Sequence, residues 1–319
     1  MATRVEPNQF DGPIPSPPPD DTELTPEVAG KRDALLGVLR DMGAVAVAFS
    51  GGVDSTVVAR AACQVLRERA VAVTAVSPSL PDKDLELARR LATLIGIRHV
   101  LLPTEELDNP DYVRNQGDRC FHCKSELYRR MTCHLGEWQA DWICSGANLD
   151  DLGDYRPGLE AARLHRVRHP LVEAGLTKAD TRQLARHWRL PNWNKPAAPC
   201  LSSRIAPGVA VTAERLRRIE RAEEYLQRLG YDRVRVRLHD GELARIEVPA
   251  EALHLLCDAQ RRRDLVDYLR SLGFRFVTVD LEGLRSGSLN VLVPVEIRAR
   301  FGASPGSQVV SGDEGHGTV

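Results

Sequence analysis

The sequence predicts an α/β protein: a parallel sheet with helices on both faces, followed by a small α+β C-terminal domain. Three observations carry this expectation. Short apolar runs alternate with stretches of helical spacing between residues 27 and 102, and strands that read as continuous apolar runs are those buried on both faces of a parallel sheet. One strand-to-helix junction, Ser50-Gly51-Gly52-Val53-Asp54-Ser55, is made through two glycines. Beyond about residue 206 the texture changes to one long helix, paired strands, further helix and a last strand. With 319 residues, the chain is long enough for two domains that each bury a core.

In order along the chain, residues 1–25 carry Pro13, Pro15, Pro17, Pro18 and Pro19 and are expected to be a flexible lead, too polar to offset the entropy of ordering. The tail, 302–319, reads the same way. A helix is expected over about 27–42. Ala44 to Phe49 reads as a fully buried strand, and the residues from Thr56 have helical spacing. A strand at Val71–Val76, a helix over about 82–95 and a strand at Arg98–Leu102 complete a βαβαβ pattern. An irregular segment, Pro103 to Arg119, leads into Cys120-Phe121-His122-Cys123-Lys124 and a helix over about 124–135. The strand Asp141–Cys144 runs into a polar turn from Ser145 to Asp151. Then come Gly153 to Gly158, a helix, His169-Pro170-Leu171, a helix over about 177–188, and a loop from Pro191 to Cys200 holding three prolines. A helix at 212–229, strands near 233–238, 243–248 and 274–280, and helical stretches between 250 and 271 make up the second part. The expected domains are therefore 26–205 and 206–301.

A formal net charge of −1 leaves no global basic field for nucleic acid and no acidic bias toward disorder. No apolar run approaches the length of a membrane span, and the first residues lack a charged-then-apolar signal pattern. A cytoplasmic protein is expected. In that compartment the seven cysteines serve as thiols, metal ligands or nucleophiles before they serve as disulfides.

Two glycines let the backbone approach a ligand, and the free N–H groups at the start of the following helix favour an anion. Phosphate is the expected occupant. Asp54 in such a nest suits magnesium better than phosphate, because a bare carboxylate repels phosphate. The run is not a Walker loop, since Val-Asp-Ser stands where Gly-Lys-Ser/Thr is required. It resembles the SGGxDS signature of the PP-loop ATP pyrophosphatases. That resemblance implies cleavage of ATP between its α and β phosphates, with Ser50, Gly51, Gly52, Asp54 and Ser55 at the nucleotide.

Three cysteines stand out by context. Cys120 and Cys123 form a CxxC pair, which serves equally a redox couple, half a zinc site or two ligands of an iron–sulfur cluster. Cys200 lies in Pro199-Cys200-Leu201-Ser202-Ser203-Arg204, where a nearby arginine would favour a thiolate nucleophile. Cys63, Cys133, Cys144 and Cys257 are expected to be small buried hydrophobes.

Five blocks in order resemble the LarE family of sulfur-inserting enzymes of nickel-pincer nucleotide synthesis: Ser50–Ser55, Arg119–Lys124, Gly146–Gly158, His169–Leu171 and Pro199–Arg204. The resemblance covers about 27–280. It implies adenylation of the carboxylates of a pyridinium-3,5-dicarboxylate mononucleotide and their conversion to thiocarboxylates. It implies ATP and Mg2+ as cofactors, a homo-oligomer, and a sulfide donor that the sequence does not name. In members with one active-site cysteine, the position of Cys200 gives up its own sulfur. The presence of Cys120, Cys123 and Cys200 together favours the members in which three thiolates hold a [4Fe-4S] cluster that carries the sulfide. By the same resemblance Lys124, Gly146, Asp154 and Arg156 face the nucleotide, Arg204, Arg235 and Arg237 the substrate phosphate, and Glu247 an acidic metal position at a subunit interface. The rival expectations are a tRNA or other small-molecule thiolase, an amide-forming synthetase of the same superfamily, and a sensor that binds nucleotide or cluster without turnover.

Overall fold

The computed structural model describes residues 23–152, 156–196, 199–256, 258–285 and 287–301. The lead up to 22, the tail from 302, Gly153, Asp154, Tyr155 and Cys257 lie outside the described residues. In chain order the regular elements are α1 (Pro26–Met42), β1 (Val45–Ala48), α2 (Val53–Leu66), β2 (Ala70–Val76), α3 (Asp82–Ile95), β3 (Arg98–Pro103), α4 (Pro110–Arg114), α5 (Arg119–Trp138), β4 (Trp142–Cys144), α6 (Pro157–Leu164), α7 (Pro170–Glu173), α8 (Lys178–His187), α9 (Ala213–Arg228), β5 (Arg235–His239), β6 (Leu243–Glu247), α10 (Leu253–Leu256), α11 (Ala259–Ser271), β7 (Phe276–Val279) and α12 (Val295–Phe301).

Local chemistry sets the helix ends. Thr25 caps α1 by accepting from the Val28 amide at 3.3 Å, with Pro26 in the first turn. Gly43 stops that helix at φ +78° and Gly96 stops α3 at +75°. Thr177 and Asp180 close a reciprocal capping box on α8. Helix α2 instead has Gly52 as its N-cap, and no side chain caps its first amides.

The first sheet has the order β3-β2-β1-β4, parallel throughout. Alternation along its strands divides two cores. Val45 and Val47 of β1, with Ala70 and Ala72 of β2, pack under α1, α2, α3 and α8. Ala46 and Ala48, with Val71 and Val73, pack under α5 and α6. Leu35, Leu39, Leu91 and Leu184 are almost completely buried in the first core, each contributing about 1.5–3 kcal/mol of burial. All carboxyl ends lie at one edge, so the turns after β1, β2 and β4 are neighbours.

The second sheet pairs β5 with β6 antiparallel and β6 with β7 parallel. Val236, Leu238, Ala244 and Ile246 face α9 through Leu216, Ile219, Ala222 and Leu226. The other face of β5 and β6 carries Arg235, Arg237, Arg245 and Glu247. Tyr112, Leu201 and Ile205 join this core. Between the sheets Asn115, at φ +54°, donates to the carbonyls of Ala206 (2.9 Å) and Val209 (3.0 Å) and accepts from Arg119 at 2.5 Å.

Three expectations change. The segment expected to be irregular folds a 3₁₀ turn at Glu106–Asp108 and then α4, which Asn109 caps by accepting from the Asp111 amide at 2.9 Å. Helix α5 begins at Arg119, so the CxxC lies inside the helix rather than ahead of it. The cysteines and His122 have weak helix propensity, and packing of Leu127, Tyr128 and Met131 against the sheet overrides it. Cys133 is exposed rather than buried, because it lies on the solvent side of α5; Cys63 is half-buried and Cys144 buried. Among the described residues no helix is long and apolar enough to cross a membrane.

Candidate active site

The site is built outward from the turn after β1. Gly51 adopts φ +66°, and a Cβ there would stand 3.3 Å from the backbone of Ala88, so both conformation and space require glycine. The Ser55 hydroxyl donates to the Gly52 carbonyl at 3.1 Å, as does the Thr56 hydroxyl at 2.7 Å. Thr74 donates to the Phe49 carbonyl at 2.8 Å. These bonds tie the carbonyls of the turn to protein, while the uncapped start of α2 presents amides and a positive dipole end to an anion.

Gly146, in the turn after β4, meets this loop directly. A Cβ there would lie 2.6 Å from the Ser55 nitrogen and 2.9 Å from the Asp54 carbonyl carbon. Those atoms are backbone and have no room to yield. Gly146→Ala is therefore expected to raise KM for ATP about tenfold and to lower stability by about 1–3 kcal/mol; nucleotide titration and thermal melts check both. Ser145 hydrogen-bonds His169 Nδ1 at 2.7 Å, which brings the His-Pro-Leu block to the same edge.

One oxygen of Asp54 contacts Lys178 Nζ, and the other is buried without a partner among the described residues. Leaving such an acceptor unsatisfied costs about 1–3 kcal/mol. It is the kind of atom a divalent cation satisfies, and magnesium needs only one or two protein carboxylates when substrate phosphates and water complete its shell. Lys178 was not picked out from the sequence. Its signal is Thr177-Lys178 at a helix start, and Asp150 fixes it there by accepting its amide at 2.7 Å.

The three cysteines come from α5 and from the turn before α9. Cys120 and Cys123 are three apart on α5 and so share a face. Cys120 is exposed and Cys123 and Cys200 half-buried. Burial pushes the thiols of Cys120 and Cys123 above their ordinary values, and the Glu106 carboxylate adds to the rise at Cys123. The nearby Cys200 sulfur adds to the rise at both, and Cys120 to that at Cys123. Among the described residues no three His, Cys, Asp or Glu side chains converge as they would around a single metal ion. Lys124 joins the thiols: its Nζ lies 5.8 Å from the centre of the Tyr128 ring. Its ammonium is held above the usual lysine value by Tyr128, against the cost of burial, with the three cysteines adding to the rise. Gly158 packs over it, since a Cβ there would be 3.2 Å from Lys124 Cγ. Arg156 pairs with Asp151 at 2.8 Å.

Cys200 opens a 3₁₀ turn, Leu201–Arg204. Leu201 donates to the Ser79 carbonyl after β2 at 2.9 Å, which fixes the turn at the nucleotide edge of the sheet. Arg204 spends its donors on protein: Glu223 at 2.9 and 3.2 Å, the Pro199 carbonyl at 2.6 Å and Ser203 Oγ at 3.1 Å. Arg237 likewise donates to Glu247 at 3.0 Å, the Ser203 carbonyl at 3.0 Å and Ser288 at 3.1 Å. Glu247 is fully buried. Both arginines thus grip the backbone that carries Cys200. Arg235, half-buried, gives one donor to the Arg285 carbonyl at 3.0 Å, and burial together with Arg237 and Arg204 holds its charge below the usual arginine strength.

Fold and site together define an ATP-using enzyme of the PP-loop type, and the family model for NAD synthase matches residues 32–117. The chain is 36% identical over 266 residues to the pyridinium-3,5-bisthiocarboxylic acid mononucleotide synthase of Lactiplantibacillus plantarum, covering 82% of this chain and 95% of that one. It belongs to that synthase's family, the LarE sulfurtransferases. An uncharacterised protein of Synechocystis sp. is 46% identical over 260 residues, 82% of this chain and 97% of its own. Another from Methanocaldococcus jannaschii is 24% identical over 242 residues, 76% and 91% of the two chains.

Proposed function

We propose that the protein inserts sulfur into a pyridinium-3,5-dicarboxylate mononucleotide, one carboxylate per cycle, for a nickel-pincer cofactor. The observation that carries this reading is the seat of the Cys200 turn on Ser79, at the same sheet edge as the Ser50–Ser55 turn. A nucleotide held at one point is then within reach of sulfur at the other.

The uncapped start of α2 holds the phosphates, and Lys178 and Lys124 are the cations beside them. Asp54 would hold magnesium, which when bound offsets the charge of the leaving pyrophosphate. The substrate carboxylate attacks the α-phosphorus, the bond to the bridging oxygen breaks, and pyrophosphate leaves with an acyl-adenylate formed. Sulfide then attacks the acyl carbon, AMP leaves, and a thiocarboxylate remains; if the Cys200 thiolate is itself the nucleophile, a thioester forms first, and loss of the Cys200 α-proton with cleavage of its Cβ–Sγ bond releases the thiocarboxylate and leaves dehydroalanine. Arg204 and Arg237 keep the Cys200 backbone in place through both steps. The reading extends to a [4Fe-4S] cluster because the three thiols lie within electrostatic reach of one another, and three ligands would leave one iron open to carry sulfide. Cys120, Cys123 and Cys200 would hold it.

The test is pyrophosphate and AMP release from ATP with and without the dicarboxylate mononucleotide. Release that depends on the mononucleotide is expected. No release, or release indifferent to it, would overturn the reading, the first in favour of a sensor.

A further inference from the structure

Asn192 is buried, 1% exposed, at the start of the loop that ends in Cys200. Its amide nitrogen donates to the Gly51 carbonyl at 3.1 Å and to the Thr56 hydroxyl at 3.0 Å. Thr56 in turn donates to the Gly52 carbonyl, so its oxygen accepts from Asn192 and the amide has one possible orientation: both partners are acceptors. The two carbonyls so held are those of the glycines in the nucleotide turn, and Gly51 is the residue in the left-handed conformation. Fixing its carbonyl fixes which way the peptide that follows it points.

Other described residues of the loop are tied to the first domain's elements. Trp193 packs on the first core, with the Arg186 guanidinium 5.4 Å from its ring centre. Lys195 pairs with Asp84 at 2.9 Å. Leu201 is bonded to Ser79. Gly51 packs on Ala88, one turn along α3 from Asp84, and Ser79 lies just ahead of that helix, so a shift in the glycine turn has a route through α3 into the backbone on which Cys200 sits.

We propose that Asn192 is a positioning residue that couples occupancy of the nucleotide turn to the placement of the Cys200 sulfur. This deepens the function proposed above and rests on it for the identity of the second substrate. Nucleotide binding that orders the Gly51 peptide tightens the Asn192 contacts and sets the Cys200 loop, so the sulfur is presented once ATP is in place.

The experiment compares wild type with Asn192→Asp, which keeps the shape and removes both donors, and Asn192→Leu, which adds no charge. Asn194→Ala, exposed in the same loop, is the control. Alkylation of Cys200 is followed by mass spectrometry with and without Mg-ATP and no second substrate, and KM for ATP is read from pyrophosphate release. In wild type, saturating Mg-ATP is expected to change the Cys200 rate about fivefold. Both Asn192 variants are expected to raise KM about tenfold, the loss of two buried hydrogen bonds, and to lose the Cys200 response at saturating nucleotide. Variants that keep the wild-type KM and response overturn the proposal. So does a wild-type Cys200 indifferent to ATP, a result that stands even where the variants fail to fold. If wild type releases no pyrophosphate with the mononucleotide while Cys200 still responds to ATP through Asn192, the function proposal fails and the coupling stands.

Discussion

Cys200→Ala is expected to abolish thiocarboxylate formation, a loss of about 10⁴-fold or more, worth over about 5 kcal/mol of barrier, while mononucleotide-dependent pyrophosphate release continues. The two readouts separate because the steps use different atoms. Adenylation as proposed uses the amides of the Ser50–Ser55 turn and Asp54, which belong to a different segment from Cys200. The loop itself survives the change, since these bonds do not use the Cys200 side chain: the Leu201 amide donates to the Ser79 carbonyl, the Ser203 amide to the Cys200 carbonyl at 3.0 Å, and the Arg204 guanidinium to the Pro199 carbonyl. A half-buried cysteine replaced by alanine at such a place shifts stability by about 0.5 kcal/mol. Iron and acid-labile sulfide in protein purified without oxygen assign the role of the lost sulfur. If both are present in wild type and fall in the variant, Cys200 is a cluster ligand. If both are absent, wild-type Cys200 converted to dehydroalanine after one turnover marks it as the sacrificed sulfur. Thiocarboxylate made by the alanine variant would remove Cys200 from the chemistry.

Asp54→Ala should slow pyrophosphate release at saturating ATP by about 10²–10³-fold, equivalent to about 3–4 kcal/mol. One oxygen of this carboxylate is buried without a partner among the described residues and is the atom proposed to hold magnesium, which would offset the charge of the leaving pyrophosphate. Lys178 will not compensate. Its backbone is fixed by the Asp150 contact at the start of α8, and a lysine supplies one positive charge where magnesium would supply two. The fold should hardly change, because the Asp54–Lys178 pair is partly exposed and such pairs contribute about 0–1 kcal/mol. The check is a magnesium titration of the rate alongside a thermal melt. A variant with wild-type rate and magnesium dependence would place the cation elsewhere.

The local features of this protein are written locally. The run Ala44 to Phe49 could be little other than a strand buried on both sides, and β1 is buried along its whole length between two cores. The two glycines announced a tight turn into a helix, and Gly51 takes the positive φ that such a turn uses. Alternating strands and helices were enough for a parallel sheet, because period-2 and period-3.6 burial patterns arise within a few residues of each other.

Other features depended on partners far along the chain. The Cys120 pair reads as a loop feature from its own residues, yet α5 extends back over it because downstream apolar side chains pack on the sheet. Arg204 and Arg237 read as cations open to a substrate phosphate; the fold turns their donors to Glu223, Glu247 and the backbone around Cys200. Lys178 meets a carboxylate 124 positions away, and Asn192 meets a carbonyl 141 positions away. The sequence by itself determined the strands, the glycine turn and the residue types available for nucleotide and sulfur chemistry, because propensity and burial period act over one or two turns of chain. Which lysine stands beside Asp54, which arginines brace the cysteine loop and which amide holds the turn were decided by tertiary structure alone, because those contacts depend on how distant elements register against one another.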